Sequence, residues 1–237
     1  MEFEQPLQPA ALIRRYKRFL ADVETPDGTL LTVHTPNTGS MRGCAEPGTR
    51  IWYRDSGNPK RAYPLSWELT ELADGTRVGV NTLRSNALVR EAVENGTIRE
   101  LAGRGSVRPE VRLGESRIDF AIGDEASPCY VEVKNVTLAE AGVAMFPDAV
   151  TTRGTRHLDE LRRVVESGGC GVLLFCVQRD DVDRLQPADS IDPDYGGALR
   201  RAAAAGVEVL AYRTRIDPTG IRLEKPLPVE LPSREAA

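Results

Sequence analysis

The chain lacks any apolar run long enough to cross a bilayer: its longest, Gly171 to Val177, falls far short of the roughly 20 residues that a spanning helix requires. A membrane protein of helical type is excluded. The opening stretch, MEFEQPLQPAALIRRYKRF, carries acidic side chains where a secretory leader needs basic ones, so the expected location is the cytoplasm. Cysteine is scarce. Cys44, Cys129, Cys170 and Cys176 form no C-x-x-C pair and show no zinc-like spacing, and the expectation is reduced, buried thiols. Lysine is no more frequent, since only Lys17, Lys60, Lys134 and Lys225 are lysines among 31 basic residues. Lys134 stands out for that reason. Histidine occurs only at His34 and His157, and no internal repeat or low-complexity tract interrupts the chain. The net charge of −4 argues against a surface given over wholly to nucleic acid, although it leaves room for local basic patches.

What is present is an ordinary globular composition, 41% hydrophobic and 28% charged, in 237 residues, enough for one large domain or two ordinary ones. Residues 10–84 alternate short β-like runs with turns such as TPDG, SGNPK and ADG, where Pro presets φ and Gly or Asn accepts positive φ. Strands at that spacing predict a small closed barrel. From Ser85 the texture changes. SNALVREAVENG reads as a helix capped by Ser85 or Asn86, with Leu88, Val89, Ala92 and Val93 as its apolar stripe and Gly96 as its stop. Strands follow at 106–112, 116–123 and 128–136, then a helix from near Thr152 to Gly168-Gly169. CGVLLFCV reads as a strand buried on both faces, and one more helix and strand complete the pattern. The tail KPLPVELPSREAA is expected to form an edge piece that frays. The order predicts a β-barrel over residues 1–84 and a mixed α/β sheet over 85–237.

Within the second unit, SRIDFAIGDEASPCYVEVKNVTL places Asp119, Glu132 and Lys134 on strands. Alternate residues share a face, so Glu132 and Lys134 point one way while Val131 and Val133 point into the core. If the two strands pair through GDEASP, Asp119 comes close to Glu132. Two ionised carboxylates about 4 Å apart repel by about 4 kcal/mol at an effective dielectric of about 20. A divalent cation relieves that repulsion, with the Val133 carbonyl and waters completing an octahedral Mg²⁺ shell. Lys134 then stands beside the metal, able to orient or deprotonate water and to neutralise phosphate charge, the layout that phosphodiester hydrolysis needs. The competing reading is a solvated strand face. The valines around it favour an inner strand, where charges need a reason.

HTPNTGSM, YPLSWEL, VNTLRSNALVREA, ESRIDF, CYVEVKNVTL, AMFPDAVTTRGTRHLDEL and PADSIDPDYGGALRRA with GVEVLAY, spread over nearly the whole chain, resemble the sugar fermentation stimulation protein A family. The resemblance implies an N-terminal OB-like barrel and a C-terminal PD-(D/E)XK nuclease-like α/β domain, in DNA-binding proteins linked to regulation of sugar (maltose-type) metabolism. By position it also lays the nuclease motif on Asp119, Glu132 and Lys134, with Mg²⁺ or Mn²⁺ as the implied cation. Two positions depart from the family pattern. Thr35 stands where cysteine is common, which weakens any idea of a catalytic thiol, and Ile118 stands where a proline precedes the first motif aspartate.

Further candidates for DNA contact are Thr152, Arg153 and His157 at a helix start, where free N–H groups favour an anion; an ordinary capped helix with a solvent-facing His157 is the alternative. Arg14, Lys17 and Arg18, interleaved with Tyr16 and Phe19 on the first barrel strand, are candidates of the kind OB barrels use, and a basic face kept for solubility is the alternative. Asn37, Thr38 and Ser40 form a small polar loop that lets backbone approach a ligand closely, or else a tight interdomain contact. His34 is assigned no chemistry. The functional expectation is a DNA-binding protein with a nuclease-like domain. The alternatives are a non-catalytic DNA-binding regulator that keeps the fold and, more weakly, a small-molecule or metal-binding module.

Overall fold

A computed structural model describes residues 1–217 and 219–232. The first third builds β1 (Gln8–Tyr16), β2 (Leu20–Glu24), β3 (Leu30–His34), β4 (Arg50–Asp55), β5 (Leu65–Glu71) and β6 (Arg77–Gly79). They run in the order β3-β2-β1-β4-β5-β6, and His34 of β3 bridges Ser66 of β5, so five strands close into a barrel with β6 appended. The alternation of side chains explains the closure: Leu12, Val23, Val33, Ile51 and Trp67 all point inside. Trp67 is fully buried and gives its indole N–H to the Leu69 carbonyl at 2.9 Å. The OB-like barrel expected from the sequence is the fold observed. One detail differs. Lys17 and Arg18 do not lie on the first strand, because Tyr16 already pairs with Leu20 and only residues 17–19 remain to reverse the chain. A connection that short needs left-handed backbone, and Lys17 and Arg18 supply it at φ 49° and 65°.

The rest of the chain forms α1 (Arg84–Glu94), β7 (Val107–Leu113), β8 (Ser116–Ile122), β9 (Cys129–Val136), β10 (Ala139–Glu140), β11 (Val143–Phe146), α2 (Thr152–Glu166), β12 (Cys170–Val177), β13 (Arg184–Pro187), α3 (Pro193–Ala204), β14 (Glu208–Asp217) and β15 (Gly220–Pro226). A mixed sheet runs β15-β14-β12-β9-β8-β7, parallel through β9, β12 and β14 and antiparallel outside them. β12 is the central, fully covered strand that CGVLLFCV predicts. One face of the sheet packs on α1 through Leu88, Val89 and Val131, and the other on α2 and α3 through Leu158, Leu161, Phe175 and Leu199. Among the described residues no helix is long and apolar enough to cross a membrane.

Three local expectations are corrected. Ser85 and Asn86 do not cap α1; the helix begins at Arg84, and the Asn81 Oδ1 accepts the Leu83 N–H at 3.1 Å instead. Cys129 and Cys170 are joined in a disulfide, because the parallel register sets the first residues of β9 and β12 side by side although they lie 41 apart in sequence. Cys44 and Cys176 do stay reduced and buried, and burial pushes both thiols up to about 12. The tail does not fray over residues 225–232. Leu227 is buried, and Glu230 gives its N–H to the Leu185 carbonyl at 2.9 Å. Residues 233–237 lie outside the described residues.

Barrel and α/β sheet share a buried joint. Glu68 on β5, 1% exposed, accepts from Arg54 Nε at 2.8 Å, Arg84 Nε at 2.5 Å and Asn81 Nδ2 at 2.9 Å. Met1, Phe3 and Leu7, which precede the barrel, pack on the α1 side of the sheet, and Phe3 gives its N–H to the Thr219 carbonyl at 2.9 Å.

Candidate active site

β8 and β9 form the hairpin that the sequence predicts, pairing from Ile122↔Cys129 to Phe120↔Val131. Beyond that pair the strands part, and Asp119 fills the fork. Its Oδ2 accepts the Val133 N–H at 2.8 Å, replacing the missing strand partner, while Oδ1 accepts from Asn86 Nδ2 at 2.8 Å. The Val133 carbonyl leaves the strand on the same side as its N–H, toward the same fork. Glu132, on the face covered by α2, is 3% exposed. Its Oε1 accepts from Lys134 Nζ at 2.6 Å and also meets His157 Nδ1. Arg153 Nε donates to His157 Nε2 at 3.3 Å, and a guanidinium can only donate, so Nδ1 carries the ring proton that goes to Glu132.

The electrostatics separate the two carboxyls. Burial and then the charge of Glu132 push Asp119 up, against the hydrogen bonds from Asn86 and Val133. Burial also acts to raise Glu132, but the His157 hydrogen bond and the Lys134 charge outweigh it and hold Glu132 below the ordinary range. Glu132 Oε2 is buried with no hydrogen-bond partner. Among the described residues no three Asp, Glu, His or Cys side chains gather into a ready-made metal cage. Two carboxylates and a backbone carbonyl, one oxygen lacking any partner, nonetheless fit a cation such as Mg²⁺ that keeps most of its waters. Asp119, Glu132 and the Val133 carbonyl would hold it.

These groups lie in a cleft of about 540 Å³ between the α/β domain and a barrel loop. The loop is held by Arg15, whose guanidinium donates to the carbonyls of Asn37 at 2.8 Å and Gly39 at 3.0 Å. Across the cleft Ser40 Oγ donates to the Asp148 carbonyl at 2.8 Å, and the Met41 N–H to Asp148 Oδ2 at 3.1 Å. A Cβ on Gly39 would lie 2.7 Å from Asp148 Oδ2, so only glycine lets the loop sit this close.

Of the residues singled out in the sequence, Asp119, Glu132, Val133, Lys134, Asn37, Thr38 and Arg153 line this one cleft. Ser40 and Arg18 line an adjoining one. His157 does not face solvent; it is buried behind Glu132. Thr152 is exposed on the first turn of α2, and the capping side chain is its neighbour Thr151, which accepts from the Gly154 N–H at 3.0 Å. Arg14 lies outside both clefts, paired with Asp22 at 2.9 Å and over the Tyr16 ring. Lys17, in the exposed turn, lines neither.

Sequence reasoning passes over several cleft residues. Ser85 Oγ meets the Asn135 side chain at 2.9 Å, and both line the cleft with Asn86, which holds Asp119; Gln178, fully buried behind them, meets Asn135 through Nε2. The signal was the pair of short polar residues on one helical turn. A capping role accounts for the same residues, so the pattern alone does not distinguish the two. Asp148 carries no pattern of its own.

Residues 83–220 match the family described as the sugar fermentation stimulation protein RE domain, and residues 13–80 match the SfsA N-terminal OB domain. A sugar fermentation stimulation protein homolog from Pelobacter propionicus is 58% identical over 227 residues, covering 95% of this chain and 98% of that one. The homolog from Thioalkalivibrio sulfidiphilus is 56% identical over 234 residues, covering 98% of each. The solved structure of Pyrococcus furiosus SfsA in complex with Ca²⁺ superposes with a TM-score of 0.89 at 28% identity, covering 97% of this chain and 98% of that one. With both halves matched and such identity over nearly all of its length, the chain belongs to the sugar fermentation stimulation protein family.

Proposed function

We propose that the protein binds DNA and that its α/β domain, nuclease-like in its motif, hydrolyses phosphodiester bonds with Mg²⁺ or Mn²⁺. The observation that carries this reading is the meeting of Asp119, Glu132 and Lys134 in one cleft, with Glu132 Oε2 buried and unpartnered. The solved relative from P. furiosus is in complex with Ca²⁺, a hard, oxygen-seeking ion of the same class as Mg²⁺. A bound divalent cation supplies polarisation of the phosphoryl oxygen and a more acidic water.

The chain's own residues do the rest. Asn86 and the Val133 N–H fix Asp119, and the Arg153–His157 pair fixes Glu132, so the two carboxylates are oriented before any ligand arrives. Lys134 holds its ammonium beside Glu132 and offers its remaining protons to the scissile phosphate and the attacking water. Arg153, exposed at the rim, takes a neighbouring phosphate.

The second reading is a DNA-binding regulator without turnover. It is favoured by the Lys134–Glu132 ion pair, which satisfies the ammonium without any substrate. Incubation of supercoiled, linear and single-stranded DNA with Mg²⁺ or Mn²⁺ separates the two. Cutting by the wild-type protein, lowered at least about a hundredfold in Lys134→Ala with binding retained, supports hydrolysis. No cutting of any substrate leaves the regulator.

A further inference from the structure

We propose that the DNA admitted to this site is an unpaired strand, running from Lys134 past the Thr38–Gly39 loop to Arg18, and that a duplex is a poor ligand. The inference rests on the DNA-binding reading above and concerns which form of DNA the site accepts. Barrel strands would be the obvious platform for a long nucleic-acid contact, but their arginines are already engaged. Arg14 pairs with Asp22 at 2.9 Å, Arg50 with Glu71 at 3.2 Å and Arg54 with Glu68 at 2.8 Å. What the barrel contributes is the loop.

On the far side of that loop lies a second cleft of about 590 Å³, which shares Thr38, Gly39, Phe146 and Asp148 with the first. The two adjoin across the contact between the loop and Asp148, and together they make a track bent around it. Each has the volume of a small-ligand site, suited to a nucleotide or two.

Charge and apolar surface along the track point the same way. Its lining cations are Lys134 and Arg153 in the first cleft and Arg15 and the exposed Arg18 in the second; the Arg15 guanidinium is spent on the carbonyls of Asn37 and Gly39, and Asp119, Glu132 and Asp148 set three carboxylates against the rest. A duplex carries a charge for about every 1.7 Å of axis and draws its affinity from neutralising many phosphates, which the three cations left once Arg15 is engaged, with three carboxylates beside them, do not provide. The lips of the clefts instead present aliphatic side chains to water: Leu83, 74% exposed, at the first and Val150, 71% exposed, at the second. Large apolar groups so exposed at the mouth of a polar site are suited to the faces of bases. A duplex keeps those faces inside its stack, whereas an unpaired strand offers them.

Fluorescence anisotropy with a labelled oligothymidylate and a labelled duplex of equal length, in EDTA and again with Ca²⁺, tests this without any cutting. The single strand is expected to bind at least about tenfold more tightly, with log affinity falling against log salt at a slope of about −2, three contacts at about 0.7 each. Arg18→Glu and Val150→Asp, both at exposed positions, are each expected to weaken the single strand about tenfold. Equal or tighter binding of the duplex, no binding of either, or full single-strand affinity in both variants would overturn the proposal. Binding is measured apart from cutting, so a protein that cuts no substrate can still show the strand preference or fail to show it.

Discussion

The Asn86 side chain donates to Asp119 at 2.8 Å and has no other hydrogen bond among the described residues, so its role can be tested cleanly. Asp119 resists ionisation through burial and the nearby Glu132, and the Asn86 amide is one of the groups that oppose this. Asn86→Ala is therefore expected to weaken Mn²⁺ or Ca²⁺ binding about 10- to 100-fold, measured by calorimetry, with little change in thermal stability. Unchanged metal affinity would show that Asp119 is oriented by the Val133 N–H alone. The same scale explains why Asn86 and Ser85 escape a reading from sequence. Short polar residues at a helix start satisfy capping rules, and only the fork between β8 and β9 shows that the side chains are needed elsewhere.

At the scale of elements, alternation along β9 and the hairpin through GDEASP suffice to bring Asp119, Glu132 and Lys134 together, because a period of two leaves a strand little choice of face. The barrel and the central β12 are legible for the same reason. β10, β11 and β13 are not, since two to four residues carry no period. The disulfide is hidden too, because the neighbours Cys129 and Cys170 are made by a crossover through α2 and not by any local spacing. The loop over the cleft gives this scale its prediction. Gly39→Ala places a Cβ 2.7 Å from the Asp148 carboxylate and forces the loop off its seat, with an expected loss of about 1–3 kcal/mol in chemical denaturation. If Asp148→Ala is made in the same chain, the carboxylate contact is gone and only the 3.0 Å approach to Asn37 Oδ1 remains, so much of the further loss caused by Gly39→Ala should disappear.

For the whole molecule the decisive group is Glu68, which binds one arginine from the barrel and one from α1. Burial alone would raise Glu68, but the hydrogen bonds and charge of Arg84, with Asn81 and Arg54, outweigh it and hold it below the ordinary carboxylate range. A depressed folded pKa means that its contribution is complete above the unfolded value and is lost as pH falls through the folded one. Glu68→Gln strands the largely buried Arg84 guanidinium and leaves Arg54 only its exposed partner Glu4, and the expected destabilisation is about 3–5 kcal/mol at neutral pH, with a flatter acid limb of stability against pH. A change below about 1 kcal/mol would mean that solvent already screens the cluster. The docking of Met1, Phe3 and Leu7 onto the sheet beyond the barrel has its own outcome. The polypeptide visits the α/β half first, then winds the barrel, then returns, so the barrel is fastened at both ends. A protease nick between residues 81 and 84 would cut one tether only, and the fragments should still co-elute as one particle.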